Sequence, residues 1–179
     1  MKRAFDIVFA SIGVVVFCPV WLWLVLLIRW EDRGPVFFRQ MRIGKNRKPF
    51  SILKFRTMRD NQVTKVGKVL RATGLDETAQ FLNVLKGDMS MVGPRPLTQE
   101  DIIRLGWDTN KNASRWTVKP GITGLAQVLG GRGARLSWFL DRKYIVSSSF
   151  RVDVQLILIS FAINLLGKKK VRTLMRHSA

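Results

Sequence analysis

The sequence predicts an α+β fold: a single small domain with a re-entrant (kinked) N-terminal membrane helix, a basic β-hairpin and several short amphipathic helices. Three observations carry that expectation. Residues 5–28 form an apolar run that contains Pro19 and only one charge, Asp6, long enough to reach through a bilayer. Residues 36–43 and 50–58 alternate loosely between apolar and basic on either side of "GKN", the pattern of two strands and a turn. Further on, a short apolar stretch stops at Gly87, as helices commonly do. The 179 residues suffice for one domain with a core. Residues 1–30 are expected to form the membrane helix and residues 31–179 the body.

The N-terminal run admits several readings. A signal peptide fits the basic start, but the apolar region is too long and no small-x-small cleavage site follows. A spanning helix fits the length, yet Pro19 removes a backbone donor in its middle and favours a kink. Both flanks are also basic: Lys2 and Arg3 before, Arg29, Arg33, Arg39, Arg42 and Lys45 after. The positive-inside rule assigns a spanning helix one basic side. A helix that dips into one leaflet and returns satisfies both flanks and is preferred, with Trp21, Trp23 and Trp30 suited to the interface. A buried helix of a soluble protein is the least favoured, because no charge interrupts the run between Ser11 and Arg29.

Charge narrows the partners. With 31 Lys and Arg against 12 Asp and Glu, the formal net charge is +19, which implies nucleic acid, acidic phospholipid or phosphorylated substrates. The single cysteine, Cys18, lies in the apolar run, so no internal disulfide can form. The single histidine, His177, stands third from the C-terminus. A His-dependent triad, a His-rich zinc site and a Cys cluster are thereby disfavoured, and any nucleophile or base must come from Asp, Glu, Ser, Thr, Lys or Tyr.

The hairpin presents Arg39, Arg42, Lys54 and Arg56. Such charge can simply guard a strand edge, but residues 29–72 hold 13 basic and three acidic side chains, a bias that suits an anionic surface or ligand. "LDETAQFLNVLKG" follows as a short helix starting near Leu75 or Asp76. In isolation Asp76 reads as its N-cap and Glu77 as a dipole partner, the cap being worth about 0.5–2 kcal/mol. In "GDMSMVGPRP", Pro94 and Pro96 hold Arg95 on a stiff loop, a presentation suited to bidentate phosphate binding. The glycine-rich stretch around "PGITGLAQVLGGRG" matches neither a Walker loop nor a dinucleotide fingerprint, though glycines beside Lys119, Arg132 and Arg135 can line a phosphate site. "VDVQLILISFAINLLG" is too short to span; followed by "KKKVR", it reads as a packed or interfacial helix whose tail touches anionic lipid.

Three acidic pairs occur, Glu31-Asp32, Asp76-Glu77 and Glu100-Asp101, and only the second lies among glycines with Arg71 before it and Arg95 after. A carboxylate can attack phosphorus to form an acyl phosphate, provided arginine, lysine or magnesium cancels the substrate's charge. A neighbouring carboxylate can hold that magnesium.

Taken in order, "FD" at the N-terminus, the proline-broken helix, "KFRTM", "LDE", "NVLKGDMSMVGPRP" and "KPGITGLAQV" resemble the bacterial sugar transferase family, the small monotopic polyprenyl-phosphate phosphoglycosyl transferases. The likeness runs over residues 6–153. It implies transfer of a phosphosugar from a UDP-sugar to undecaprenyl phosphate, releasing UMP, at the cytoplasmic face of the bacterial inner membrane. It further implies a covalent phosphosugar–aspartate intermediate and a need for magnesium (Mg2+). By this resemblance Asp76 is the nucleophile, Glu77 the magnesium ligand, and Arg71, Arg95 and Arg132 bind phosphates. Lys54 and Arg56 are further candidates, equally explained by packing or headgroup contact. Cys18-Pro19 replaces the family's Ser-Pro at the kink, and a thiol bonds more weakly than a hydroxyl. "LDETAQ" replaces the usual "LDELPQ"; Lys119 and Leu125 replace a common arginine and tryptophan. Two rivals remain: a non-catalytic protein that binds anionic lipid, which leaves "LDE" and "GPRP" without a role, and a membrane-tethered nucleic-acid binder. The second needs stacking aromatics, and Trp107, Trp116 and Trp138 are only scattered; nucleic acid is not the expected partner.

Overall fold

A computed structural model describes residues 1–130 and 133–166, without the side chain of Leu165. Helix α1 (Lys2–Asp32) leads into strands β1 (Phe37–Ile43) and β2 (Pro49–Phe55), then the two-residue pair β3 (Met58–Arg59) and β4 (Gln62–Val63). Helix α2 (Lys65–Thr73), a 3-10 turn over Leu75–Ala79 and helix α3 (Gln80–Lys86) follow. Strand β5 (Ser90–Val92), helix α4 (Gln99–Arg104), a second 3-10 segment over Asn110–Thr117 and strand β6 (Gly121–Thr123) precede helices α5 (Leu125–Leu129), α6 (Ala134–Ser147) and α7 (Phe150–Leu166).

The apolar run forms one continuous helix, with the proline expected to kink it inside its span. Cys18 and Pro19 lie within α1 without a break, and Pro19 sits inside the helix. Its missing N–H costs one helical bond on an exposed side, where packing does not depend on it. What holds α1 is contact with the body along its whole length. Near its start, Lys2 pairs with Asp153 at 2.5 Å and donates to the Tyr144 hydroxyl at 3.0 Å. Asp6, 2% exposed, accepts from Ser90 Oγ at 2.8 Å and Met91 N at 2.9 Å. A charge can be buried in an otherwise apolar run because two donors on β5 meet it. Mid-helix, Phe17 meets Phe81, and Trp21 Nε1 donates to Thr78 Oγ1 at 2.9 Å. Near its end, Leu24 and Ile28 join Phe55, Leu70 and Ala79 in one buried cluster, and Asp32 pairs with Arg56. The opposite face exposes Val8, Ile12, Val15, Val16, Trp23 and Trp30. Apolar groups so placed along a helix of this length mark a membrane-facing surface.

Strands β1 and β2 pair antiparallel, from Phe37 opposite Phe55 to Ile43 opposite Pro49. The second strand starts one residue before the stretch expected from sequence and stops at Phe55, short of Met58. The expected helix from Leu75 to Gly87 is two pieces: the 3-10 turn, and α3 with Ala79 at its N-cap position. Asp76 therefore does not cap α3. Gly87 ends α3 as expected, at φ 100°, a conformation glycine adopts without a Cβ penalty. Two guanidinium bonds from Arg3, to Val84 O at 2.5 Å and Leu85 O at 2.7 Å, satisfy carbonyls of its last turn.

Strand β5, expected as loop, and strand β6, in the glycine-rich stretch, form a short parallel pair, Ser90 opposite Gly121 and Val92 opposite Thr123. A Cβ on Gly121 would strike the Gly93 backbone and one on Gly93 would strike the Lys119 carbonyl, so the two segments approach more closely than side chains allow. The main core lies under this pair, joining Phe5 and Ala10 of α1 to Ile52, Val84, Met89, Met91, Val92, Tyr144 and Leu156. Tyr144 ties four elements there: its hydroxyl sits 2.7 Å from Asp153 and 3.0 Å from Val92 O, and burial pushes its ionisation up.

Candidate active site

Asp76 and Glu77 occupy the 3-10 turn between α2 and α3, both half-buried. Gly74 delivers the chain into that turn at φ 72°, and Glu77 N donates to its carbonyl at 3.2 Å. The turn is fixed from the hairpin side by Asn83, whose Nδ2 donates to Ser51 O at 2.8 Å and whose Oδ1 accepts from Leu53 N at 2.9 Å. One amide thus sutures α3 to β2 and sets the next residue of the strand, Lys54, against Glu77. Lys54 Nζ lies 2.6 Å from Glu77 Oε1.

Burial pushes the Asp76 carboxyl up from its ordinary range, and the adjacent charge of Glu77 pushes the same way; Lys54 and Arg71 oppose. Arg71 reaches the site from the last turn of α2. Its Nε donates to Thr57 Oγ1 at 2.9 Å, a contact made possible by Gly67, where a Cβ would run into the Thr57 backbone. Asp76, Arg71, Lys54 and Arg56 line one cavity of about 670 Å3. Arg56 also spends its guanidinium on Asp32, with its Nε left without a partner.

Arg95 is exposed between buried Pro94 and Pro96 and lines a cleft shared with Glu77, Lys54 and Arg42. Arg115 holds its backbone: Nη2 donates to Arg95 O at 2.6 Å while Nε pairs with Asp141 at 3.0 Å. The Arg115 guanidinium is 5.2 Å from the Trp107 ring and 5.1 Å from Trp116, geometry that suits a desolvated cation. Burial lowers the Arg115 pKa and raises that of Asp141, and the attraction between the pair opposes both shifts.

The structure thus brings Asp76, Lys54, Arg56 and Arg71 to one cavity and Glu77, Lys54 and Arg95 to another. Arg132 lies outside the described residues. Two arginines beside these residues were not assigned to the site from sequence. Arg42 was recognised only as hairpin surface; it donates to Gln40 Oε1 at 2.6 Å, and burial and the charge of Arg95 lower its pKa. Strand parity was the available signal, since opposed residues share a face and Arg42, Gln40 and Phe38 oppose Phe50, Ile52 and Lys54. Arg115 carried no local signal, because its acid stands 26 positions away.

A cluster of carboxylates and cations beside a long helix with an exposed apolar face is chemistry for a phosphorylated molecule met at a membrane. Comparisons with known proteins agree. The family model described as "Bacterial sugar transferase" matches residues 1–167. A UDP-glucose:undecaprenyl-phosphate glucose-1-phosphate transferase of Caulobacter vibrioides is 41% identical over 82% of this chain and 60% of its own length. The uncharacterized sugar transferase EpsL of Bacillus subtilis is 40% identical over 88% of this chain and 83% of its own. A UDP-N-acetylgalactosamine-undecaprenyl-phosphate N-acetylgalactosaminephosphotransferase of Aeromonas hydrophila is 39% identical over 88% of this chain but only 42% of its own length. The chain therefore spans about half the length of the Caulobacter and Aeromonas relatives. With its model covering nearly every residue, including the carboxylate pair and both arginine-bearing segments, the chain belongs to the bacterial sugar transferase family.

Proposed function

We propose that the protein transfers a phosphosugar from a UDP-sugar to undecaprenyl phosphate, giving undecaprenyl-diphosphate-sugar and UMP. The observation that carries this reading is the half-buried Asp76-Glu77 pair set among Lys54, Arg71 and Arg95 in a chain of this family. The names of the Caulobacter and Aeromonas relatives supply the donor and acceptor classes. An exopolysaccharide pathway fits the names of further relatives.

In the first step an Asp76 carboxylate oxygen bonds to the phosphorus that carries the sugar, and the bond from that phosphorus to the bridging oxygen breaks as UMP leaves. In the second, a phosphate oxygen of undecaprenyl phosphate bonds to the same phosphorus and Asp76 departs as a carboxylate. Anionic attack on an anionic centre needs local cations, and Arg71, Arg95 and Lys54 provide them. The raised Asp76 pKa also matches a role in which this oxygen gains a bond.

Magnesium fits this donor set. The described residues contain no group of three or more metal-ligating side chains, and magnesium habitually takes one or two carboxylates and completes its shell with water and substrate phosphates. Glu77 and Asp76 would hold it, and it would neutralise charge on the transferring phosphate. Lys54 supplies a cation to Glu77 in the described state.

Both ends of α1 bind the same body, Lys2 and Asp6 at one and Ile28 and Asp32 at the other. We place both ends on the cytoplasmic side of the bacterial inner membrane, with the outer face of α1 in one leaflet and the basic body against anionic lipid. A cysteine introduced at Lys2 and labelled from the periplasm would defeat this placement.

The reaction is tested by UMP release from purified protein with undecaprenyl phosphate, magnesium and a panel of UDP-sugars. Release with one donor, abolished in Asp76→Asn, is expected. Mass spectrometry of protein given that donor alone should show one phosphosugar on Asp76; full turnover with no such adduct and no burst of UMP would defeat the covalent step.

A further inference from the structure

We propose that the cleft between α1 and α7 seats the acceptor lipid, with its phosphate at Arg95 and Thr123 and its first prenyl units on the apolar walls. This rests on the undecaprenyl phosphate acceptor argued above. The cleft has a volume of about 340 Å3. Phe17 of α1, Phe81 of α3, and Ile157 and Phe161 of α7 contribute its apolar lining; Glu77 and Arg95 line it as well. An apolar wall joined to a cation is the chemistry of a lipid phosphate.

Thr123 supplies an independent pointer. It is only 7% exposed, lines the same cleft, and its Oγ1 has no hydrogen-bond partner. A buried hydroxyl without a partner is costly unless a ligand completes it, and a phosphate oxygen accepts from it. β6 fixes Thr123 through its pairing opposite Val92, so the hydroxyl is held by the parallel strands rather than by a loose loop.

The carboxylate pair divides two chambers. Asp76 lines the cavity with Arg71 and Lys54, whereas Glu77 lines the α1–α7 cleft. A lipid phosphate in the cleft would therefore meet the carboxylate pair from the Glu77 side, after UMP has left. The cleft also connects to the membrane-facing surface. Phe161 lines it while remaining 64% exposed, and Leu158 on α7 and Val16 on α1 are exposed beside it in sequence. The volume admits a phosphate and the proximal prenyl units, and the remainder of the chain stays in lipid.

The test places p-benzoylphenylalanine at Phe161, or at Phe139 as an exposed control on α6, in protein embedded in lipid nanodiscs. Irradiation with radiolabelled undecaprenyl phosphate should label position 161 and not 139. Unlabelled undecaprenyl phosphate should compete, and undecaprenol, which lacks the phosphate, should not. Thr123→Val keeps the side-chain shape; it should weaken labelling and raise KM for undecaprenyl phosphate about tenfold, the usual loss for one hydrogen bond to a charged group, with KM for the UDP-sugar unchanged. Equal labelling at both positions, equal competition by undecaprenol, or an effect of Thr123→Val on the donor alone would overturn the assignment. Cross-linking needs no turnover, so protein that labels at 161 but releases no UMP would sink the proposed reaction and leave the cleft standing.

Discussion

Replacing Arg115 with methionine separates what a buried ion pair does for stability from what it does for the site. The Arg115 and Asp141 side chains are 3% and 5% exposed and 3.0 Å apart. Arg115→Met leaves the Asp141 carboxylate desolvated and unpaired, a loss of roughly 3–5 kcal/mol. At roughly 2–4 °C per kcal/mol for a chain of this size, the melting temperature in fixed detergent should fall by roughly 6–20 °C. Adding Asp141→Leu removes the stranded charge, and a well-packed apolar pair in place of ions is often neutral or stabilising. The double variant should therefore regain most of the lost stability. It should not regain full activity, because Arg95 O still lacks the donor that Arg115 places 2.6 Å away. Loss of one such bond, about 1.5 kcal/mol or more, predicts a KM for undecaprenyl phosphate raised at least about tenfold. Thermal unfolding followed by tryptophan fluorescence, with UMP-release kinetics on the same samples, reads both effects. A double variant as unstable as the single one would refute the ion-pair reasoning. One with wild-type KM for undecaprenyl phosphate would show that Arg115 does not position Arg95.

Asp76 gives a pH prediction whose sign follows from its causes. Burial and Glu77 raise its pKa, so the acid limb of kcat/KM should lie above the ordinary carboxylate range, moving down in Glu77→Gln and up in Lys54→Met. Across the same window the folded state holds the Asp76 proton more tightly than the unfolded chain, so this group's contribution to stability falls as pH rises; a pH titration of unfolding checks it. Asp6→Ala should cost roughly 1.5–3 kcal/mol by stranding the buried Ser90 hydroxyl and Met91 N–H, seen as a lower melting temperature and faster proteolysis. A nitroxide on Cys18, the single cysteine and exposed on α1, should be relaxed by oxygen and shielded from a water-soluble nickel complex in vesicles; the reverse would place this face in water.

Local pattern sufficed for much of this protein. The extent of the apolar helix follows from an uninterrupted run of side chains, the hairpin from alternation around a turn, and the end of α3 from Gly87. Adjacency alone fixes Asp76 beside Glu77, and two prolines alone stiffen the presentation of Arg95. Each of these depends on neighbours a few positions apart, where periodicity and backbone restriction act.

Tertiary structure decided the rest, because the partners are remote in sequence and carry no mutual signature. Asp76 reads locally as a cap, yet the chain enters a 3-10 turn there and leaves the carboxylate to the cavity. Asp6 looks like an isolated charge in an apolar helix until β5, some 84 positions on, brings two donors to it. The parallel pairing of Ser90 with Gly121 spans three tens of residues of intervening chain, and only that pairing turns Thr123 into a buried, unpaired hydroxyl. Pro19 removes one hydrogen bond from α1 by its chemistry, and the helix still runs from Lys2 to Asp32 because the body packs against it along that length. A sequence states which groups a segment owns; burial and charge are fixed by what the fold sets opposite them.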